Sequence, residues 1–176
     1  MAPFRIDSAR LHIRAWQPAD RPAFAAMAQD AALMRYISNG VPHSEQAVDT
    51  QLARQAGHMA RVGYCMGAAV WRDSGEVIGV IGMQPVDRDP DIDLGWWVAR
   101  AWQGRGLAQE GARAVRDWLR TQQPGARASA SIHPENLASQ AVARGLGLVP
   151  TGPLPASQIA SWRPDTPVLV FRETAA

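Results

Sequence analysis

The 176-residue chain contains no lysine; all eighteen of its basic residues are arginine. That excludes a Schiff-base lysine and the lysine of a Walker A phosphate loop, since both need a primary amine on the protein. Cysteine is reduced to one residue, Cys65, so no disulfide can form within the chain and a reducing, intracellular compartment is expected. A lone cysteine in an apolar stretch reads as a small core residue. No run approaches the ~18 consecutive apolar residues of a membrane span. Met1 to Arg10 carries charges and no long apolar stretch, unlike a signal peptide. A cytoplasmic protein with no membrane partner is the expectation. The net charge is only +2 and the arginines are scattered, which leaves no basic run to suggest nucleic acid.

What is present is an ordinary hydrophobic content of 47% in a chain long enough for one core, so residues 1–176 read as a single domain. Leu11, Ile13 and Ala15 alternate with His12, Arg14 and Trp16, as in a strand. Pro18 and Asp20 open a helix running to about Asp30, and Leu33 to Ile37 adds a short helical turn. Ser44 is a candidate N-cap for a longer helix ending near Gly63. Tyr64–Trp71, Glu76–Met83 and Ile92–Val98 read as an antiparallel meander, with an acidic loop at Asp87, Asp89 and Asp91 before the third strand. Gly106 to about Arg120 is an amphipathic helix, Arg127–His133 a strand, and Asn136–Leu146 a helix. A strand starts at Leu148-Val149 and is limited by Pro150; a proline-rich loop to Pro167 and a last strand, Val168–Phe171, follow. Strands and helices without strict alternation indicate an α+β, or mixed α/β, sheet with helices on its faces.

The most informative segment runs from Asp93-Leu94-Gly95-Trp96-Trp97-Val98 to Gln103-Gly104-Arg105-Gly106-Leu107-Ala108. It is a strand followed by a glycine-rich helix start, where bare amides and the helix dipole favour an anion such as a phosphate. A dinucleotide fingerprint counted from Gly104 and Gly106 would need Gly or Ala at position 109, which is Gln109. From the glycines alone, a phosphate seat and a plain tight turn both stay open.

Three ordered matches add to this. Gln103, Gly106 and Ala108 fit Gln/Arg-x-x-Gly-x-Gly/Ala, the acetyl-CoA loop of the GNAT N-acetyltransferases. Asp93-Leu94-Gly95-Trp96-Trp97 is similar to the acidic-Ile-Gly-Tyr-Trp strand of the ribosomal-protein-alanine acetyltransferase branch. His133-Pro134-Glu135-Asn136-Leu137-Ala138-Ser139, followed by Leu146-Gly147-Leu148, resembles that branch's His-Pro-x-Asn-x-x-Ser and Leu-Gly-Phe. Leu11-His12-Ile13-Arg14 and Met34-Arg35-Tyr36-Ile37 also fit, so the resemblance spans nearly the whole chain.

The resemblance implies a mostly antiparallel sheet splayed at its middle. Acetyl-CoA would lie in the splay, its pantetheine arm pairing with backbone near Trp97, Val98 and Ala99 and its pyrophosphate on amides from Gly104 to Ala108. Arg100 and Arg105 would add charged contacts. An amide near Val98 would hold the oxyanion, and Asn136 would lie near the pantetheine. Ser139 would donate to the leaving thiolate; the family's tyrosine four residues on is replaced by Ala143. Asp93 is the first candidate for the general base, with Glu76 and Asp91 as competitors. Trp96 and Trp97 are candidate walls for a cationic amine. The acceptor would be a primary amine of a small molecule or a protein N-terminus, in a monomer or homodimer. No His/Cys spacing suggests a metal site. A non-catalytic acyl-CoA sensor on the same fold is the alternative, and a structural domain whose loop binds nothing is a more distant one.

Overall fold

The computed structural model describes residues 4–86, 91–154 and 167–174. Period-two alternation at the start of the chain builds two antiparallel strands, β1 (Arg5–Asp7) and β2 (Leu11–Arg14), with Ile6, Leu11 and Ile13 buried. β1 was not legible in the alternation, because three residues are too few to show a period. Next come α1 (Arg21–Ala28), α2 (Ala31–Met34) and α3 (Glu45–Val62). The break between α1 and α2 lies earlier than the sequence suggests, because the Asp30 carboxylate caps α2, accepting from the amides of Ala32 and Leu33. Ser44 caps α3 through Ala47 N–H, as expected.

The meander is β3 (Met66–Trp71), β4 (Val77–Pro85) and β5 (Ile92–Val98). It leads through α4 (Leu107–Gln122) to β6 (Ala128–Ile132), α5 (Leu137–Gly145), β7 (Val149–Leu154) and β8 (Val168–Arg172). All eight strands form one sheet in the order β1-β2-β3-β4-β5-β6-β8-β7, and every neighbouring pair is antiparallel except β5–β6, which is parallel. β7 corrects the expectation that Pro150 limits its strand. It runs on through Pro153, and it can do so because it is the edge strand, with a register shift between Pro150 and Pro153 where an amide donor is missing.

Alternation divides the side chains between two faces. Ile81, Met83, Leu94 and Val98 pack with Leu107, Val115 and Leu119 of α4 on one face. Val80 and Met66 pack with Phe24, Met27 and Ala28 of α1 and Val48 of α3 on the other. Gly111 lets α4 sit directly on the sheet: a Cβ there would lie 2.6 Å from Ile81 Cδ1.

Candidate active site

The site begins where two strands part. β5 and β6 pair only at Ile92↔Ala128 and Asp93↔Ser129, although β5 continues to Val98 and β6 to Ile132. Ile92 N–H donates to Arg127 O (2.9 Å), so main-chain groups of Leu94, Trp96 and Val98 face the same side. At the far end Ala99 N–H donates to Ile78 O (2.8 Å), which fixes the odd-numbered residues toward β4. The backbone offered to the gap is therefore that of Trp96 and Val98. Trp97 and the Ala99 amide, expected to pair with an arm in the gap, turn toward β4 instead.

Two carboxylates shape the fork. Asp91, 1% exposed, accepts from Arg127 Nε (2.9 Å) and Arg172 Nη1 (2.5 Å) and so ties the start of β5 to β6 and β8. Asp93, 7% exposed, accepts from Ser131 N–H through Oδ1 (2.9 Å) and from Gln84 Nε2 through Oδ2 (3.4 Å). At the last paired position, then, a side chain takes the amide that main chain would otherwise bind. Asp91 belongs to a buried ion network and is not placed as a base. Glu76, the other competitor, is exposed and accepts from Trp102 Nε1 (3.3 Å).

After β5 a 3₁₀ turn, Arg100–Trp102, leads into the glycine loop. Gln103 Nε2 donates to Val98 O (2.9 Å), so the first residue of the loop motif locks the end of β5. Gly104 and Gly106 both have left-handed backbone, with φ of 74° and 75°, which a side chain would strain. The first bond of α4 runs from Glu110 N–H to Gly106 O (3.0 Å). The amides of Gly106, Leu107, Ala108 and Gln109 therefore have no acceptor within the helix, and the arrangement suits an anion. The arginines are engaged elsewhere. Arg105 stacks on Trp102 at 4.8 Å and donates to Ala101 O (3.1 Å), and Arg100 lies 3.7 Å from Asp30.

Across the gap, Asn136 is the N-cap of α5. Its Oδ1 accepts from Ser139 N–H (3.1 Å), so its motif position first of all starts the helix. Ser139 is half-buried, and its hydroxyl makes no hydrogen bond among the described residues, including none to its own helix. Ala143 is buried, so no hydroxyl stands one turn on. His133 Nδ1 accepts from Glu135 N–H (3.1 Å), which places the proton of the neutral ring on Nε2, and the Tyr36 ring lies 4.9 Å away.

On the opposite face, Trp97 meets Phe24 edge-on at 5.8 Å, and Phe24 meets Trp16 at 5.0 Å. Trp96 packs against the core on the α4 side, so the two tryptophans divide between the faces. Most of the proline-rich loop expected to help form the acceptor pocket, residues 155–166, lies outside the described residues. Cys65 is fully buried, and burial pushes its thiol up to about 12, so it carries no thiolate near neutrality. Among the described residues no group of three His, Cys, Asp or Glu is placed to hold a metal ion, and no helix is long and apolar enough to cross a membrane.

The model of the acetyltransferase (GNAT) domain matches residues 10–149. The chain belongs to the GNAT acetyltransferase family. Bacillus subtilis (strain 168) protein YkkB, itself uncharacterized, is 28% identical over 146 residues, spanning 79% of this chain and 81% of its own. Among solved structures, an acetyltransferase from Agrobacterium tumefaciens str. C58 shares the fold with a TM-score of 0.80 and 24% identity, over 99% of this chain and 96% of its own. A ribosomal L7/L12 alpha-N-protein acetyltransferase in complex with coenzyme A shares it with a TM-score of 0.79 and 18% identity, over 96% and 97%. The mixed sheet with its central fork is thus the GNAT fold, as the three ordered sequence motifs implied, and ribosomal-protein serine and alanine acetyltransferases are among its structural neighbours.

Proposed function

We propose that the chain is an acetyl-CoA-dependent N-acetyltransferase acting on a primary amine by direct attack in a ternary complex. The observation that carries this is the fork between β5 and β6, opening beside the free amides of α4 in a chain of this family. The donor set fits the cosubstrate. The Trp96 and Val98 backbone matches an amide-bearing arm, and the amides of Gly106 to Gln109 match a pyrophosphate. Acetyl-CoA supplies the thioester.

The chain's own groups then have definite duties. Val98 N–H faces the gap and is aimed at the oxygen where negative charge develops. The amine nitrogen bonds to the acetyl carbon and the carbon–sulfur bond breaks. Ser139 Oγ–H gives its proton to the departing sulfur and recovers one from the amine through water. Asp93 has two readings, base or strut. Its bonds to Ser131 and Gln84 favour the strut, with its charge drawing a cationic amine toward the fork. The acceptor is a small-molecule amine or a protein N-terminus; the alpha-N-protein acetyltransferase neighbour supports the latter.

The test is a calorimetric titration with acetyl-CoA, using NADH and ATP as controls, followed by an amine screen that reads free thiol. Saturable binding of acetyl-CoA alone, with thiol release on adding an amine, is expected. Absence of binding refutes the proposal, and binding without transfer to any amine marks an acyl-CoA sensor instead.

A further inference from the structure

Arg10, the residue before β2, is wired to the glycine loop although 94 residues separate it from Gly104. Its backbone N–H donates to Glu110 Oε1 and its Nε to Glu110 Oε2, both at 2.7 Å. Ser8 Oγ donates to the same Oε1 at 2.7 Å. The remaining arm of the guanidinium, Nη2, donates to the carbonyl of Arg105 at 3.1 Å, between the two left-handed glycines. Arg10 therefore bridges the first turn of α4 and the loop that enters it.

Two consequences follow from elementary geometry and charge. In a trans peptide the C=O and N–H point in opposite directions, and the described chain contains no cis bond. Holding Arg105 O toward Arg10 thus holds Gly106 N–H away from it, which keeps that amide open to an acceptor other than Arg10. The second consequence concerns Glu110. A carboxylate in the first turn suits the helix dipole but competes with any anion bound there. Arg10 neutralises it in a paired arrangement. Glu110 correspondingly sits below the usual carboxylate range: burial alone would raise it, but the bonds from Ser8 and Arg10 outweigh burial.

We propose that Arg10 is a positioning residue of the cosubstrate site, orienting the Arg105–Gly106 peptide toward the pyrophosphate and cancelling the charge of Glu110. This rests on the reading of the glycine loop as the pyrophosphate seat. It assigns Arg10 no contact with the reacting atoms.

The test compares two acetyl donors, acetyl-CoA and S-acetylpantetheine, which has the arm but no pyrophosphate. In Arg10→Met the apolar stem stays and the guanidinium goes. The expected result is a rise of about ten- to a hundredfold in Kd and KM for acetyl-CoA, the scale of losing hydrogen bonds to a charged group. Activity with S-acetylpantetheine should stay within about twofold of the parent. Arg10→Lys restores the charge beside Glu110 without a fork that reaches Arg105 O, so it should recover part of the affinity; it also serves as the reporter should Arg10→Met not fold. Equal losses with both donors would make Arg10 an ordinary surface brace and overturn the inference, as would folded variants that bind acetyl-CoA like the parent. If the parent chain itself binds no acetyl-CoA, the loop reading fails and the inference falls with it, an outcome visible in the first titration.

Discussion

Asp93 separates two accounts of the site, and substituting it twice distinguishes them. Its carboxylate is buried, bonded to Ser131 N–H at 2.9 Å and to Gln84 Nε2 at 3.4 Å, at the last residue pair before the strands part. Asp93→Ala removes a charged acceptor and leaves the Ser131 amide without it at the apex. Hydrogen bonds to charged groups contribute about 1.5–3 kcal/mol, so a loss of about 2–3 kcal/mol is expected. For a chain of this size that lowers Tm by about 4–12 °C. Asp93→Asn keeps a carbonyl oxygen for Ser131 and lets Gln84 turn its own oxygen to the new amide, so its stability cost should stay within about 1 kcal/mol. The kinetic expectations differ sharply. A strut predicts that Asp93→Asn keeps the acid limb of the pH–rate profile and loses less than about tenfold in kcat, whereas removing a general base costs ~10²–10⁴-fold. Thermal denaturation and thiol-release kinetics across pH 6–9 read both. An Asp93→Asn protein with unchanged Tm, a loss above ~10²-fold and a flattened acid limb would refute the strut.

Ser139→Ala should lower kcat by about tenfold or more while leaving Kd for acetyl-CoA unchanged, since the hydroxyl makes no hydrogen bond among the described residues and, in the proposed mechanism, acts on the departing sulfur; equal turnover would remove it from the mechanism. Asp20 accepts both arms of Arg14, at 2.6 and 3.0 Å. Burial alone would raise its carboxyl, but these bonds and the Gln17 amide hold it below the usual value near 3.8. A folded-state pKa below the unfolded one gives stability that is full above about pH 4 and lost as pH falls through the folded value, so Asp20→Asn should flatten the acid side of Tm against pH. His58 is shifted in the same direction, with burial, Arg54 and Arg61 depressing its imidazole. Its contribution is full above the ordinary value of 6.5 and declines below it, so His58→Gln should soften the loss of Tm between pH 6.5 and 5. The Cys65 thiol, buried and pushed up to about 12, should react with an aromatic disulfide reagent only on unfolding; fast labelling of the folded protein would contradict its placement.

Much of this fold was readable because its signals are local. The Ser44 cap, the bounds of β5 and the glycine-opened α4 each rest on a few adjacent residues, and the structure reproduces them. The misses are positions where a distant partner decides. Pro150 marks a strand end unless the strand is an edge, and β7's place at the edge depends on β8 pairing between it and β6. The sequence reading runs the first helix to about Asp30, but Asp30 caps α2, because two amides are free to receive it.

The site shows the same division at a finer scale. Motif spacing located the backbone that faces the fork to within one residue, but choosing Trp96 and Val98 over Trp97 needs the direction of a single amide, Ile92 N–H, toward β6. Gln103, expected at the cosubstrate, bonds the Val98 carbonyl, a partner that only the folded turn reveals. Gln84 became visible only through its register opposite Asp93. In each case the residue type announces a donor or acceptor, and only the sheet says which group receives it. A polar motif residue at this fork therefore has two employers to choose between, the cosubstrate and the backbone that presents it. Asp93, Gln103 and Asn136 all have backbone partners already. The Ser139 hydroxyl has no partner among the described residues, which leaves it as the side chain of the set with capacity to spare for chemistry.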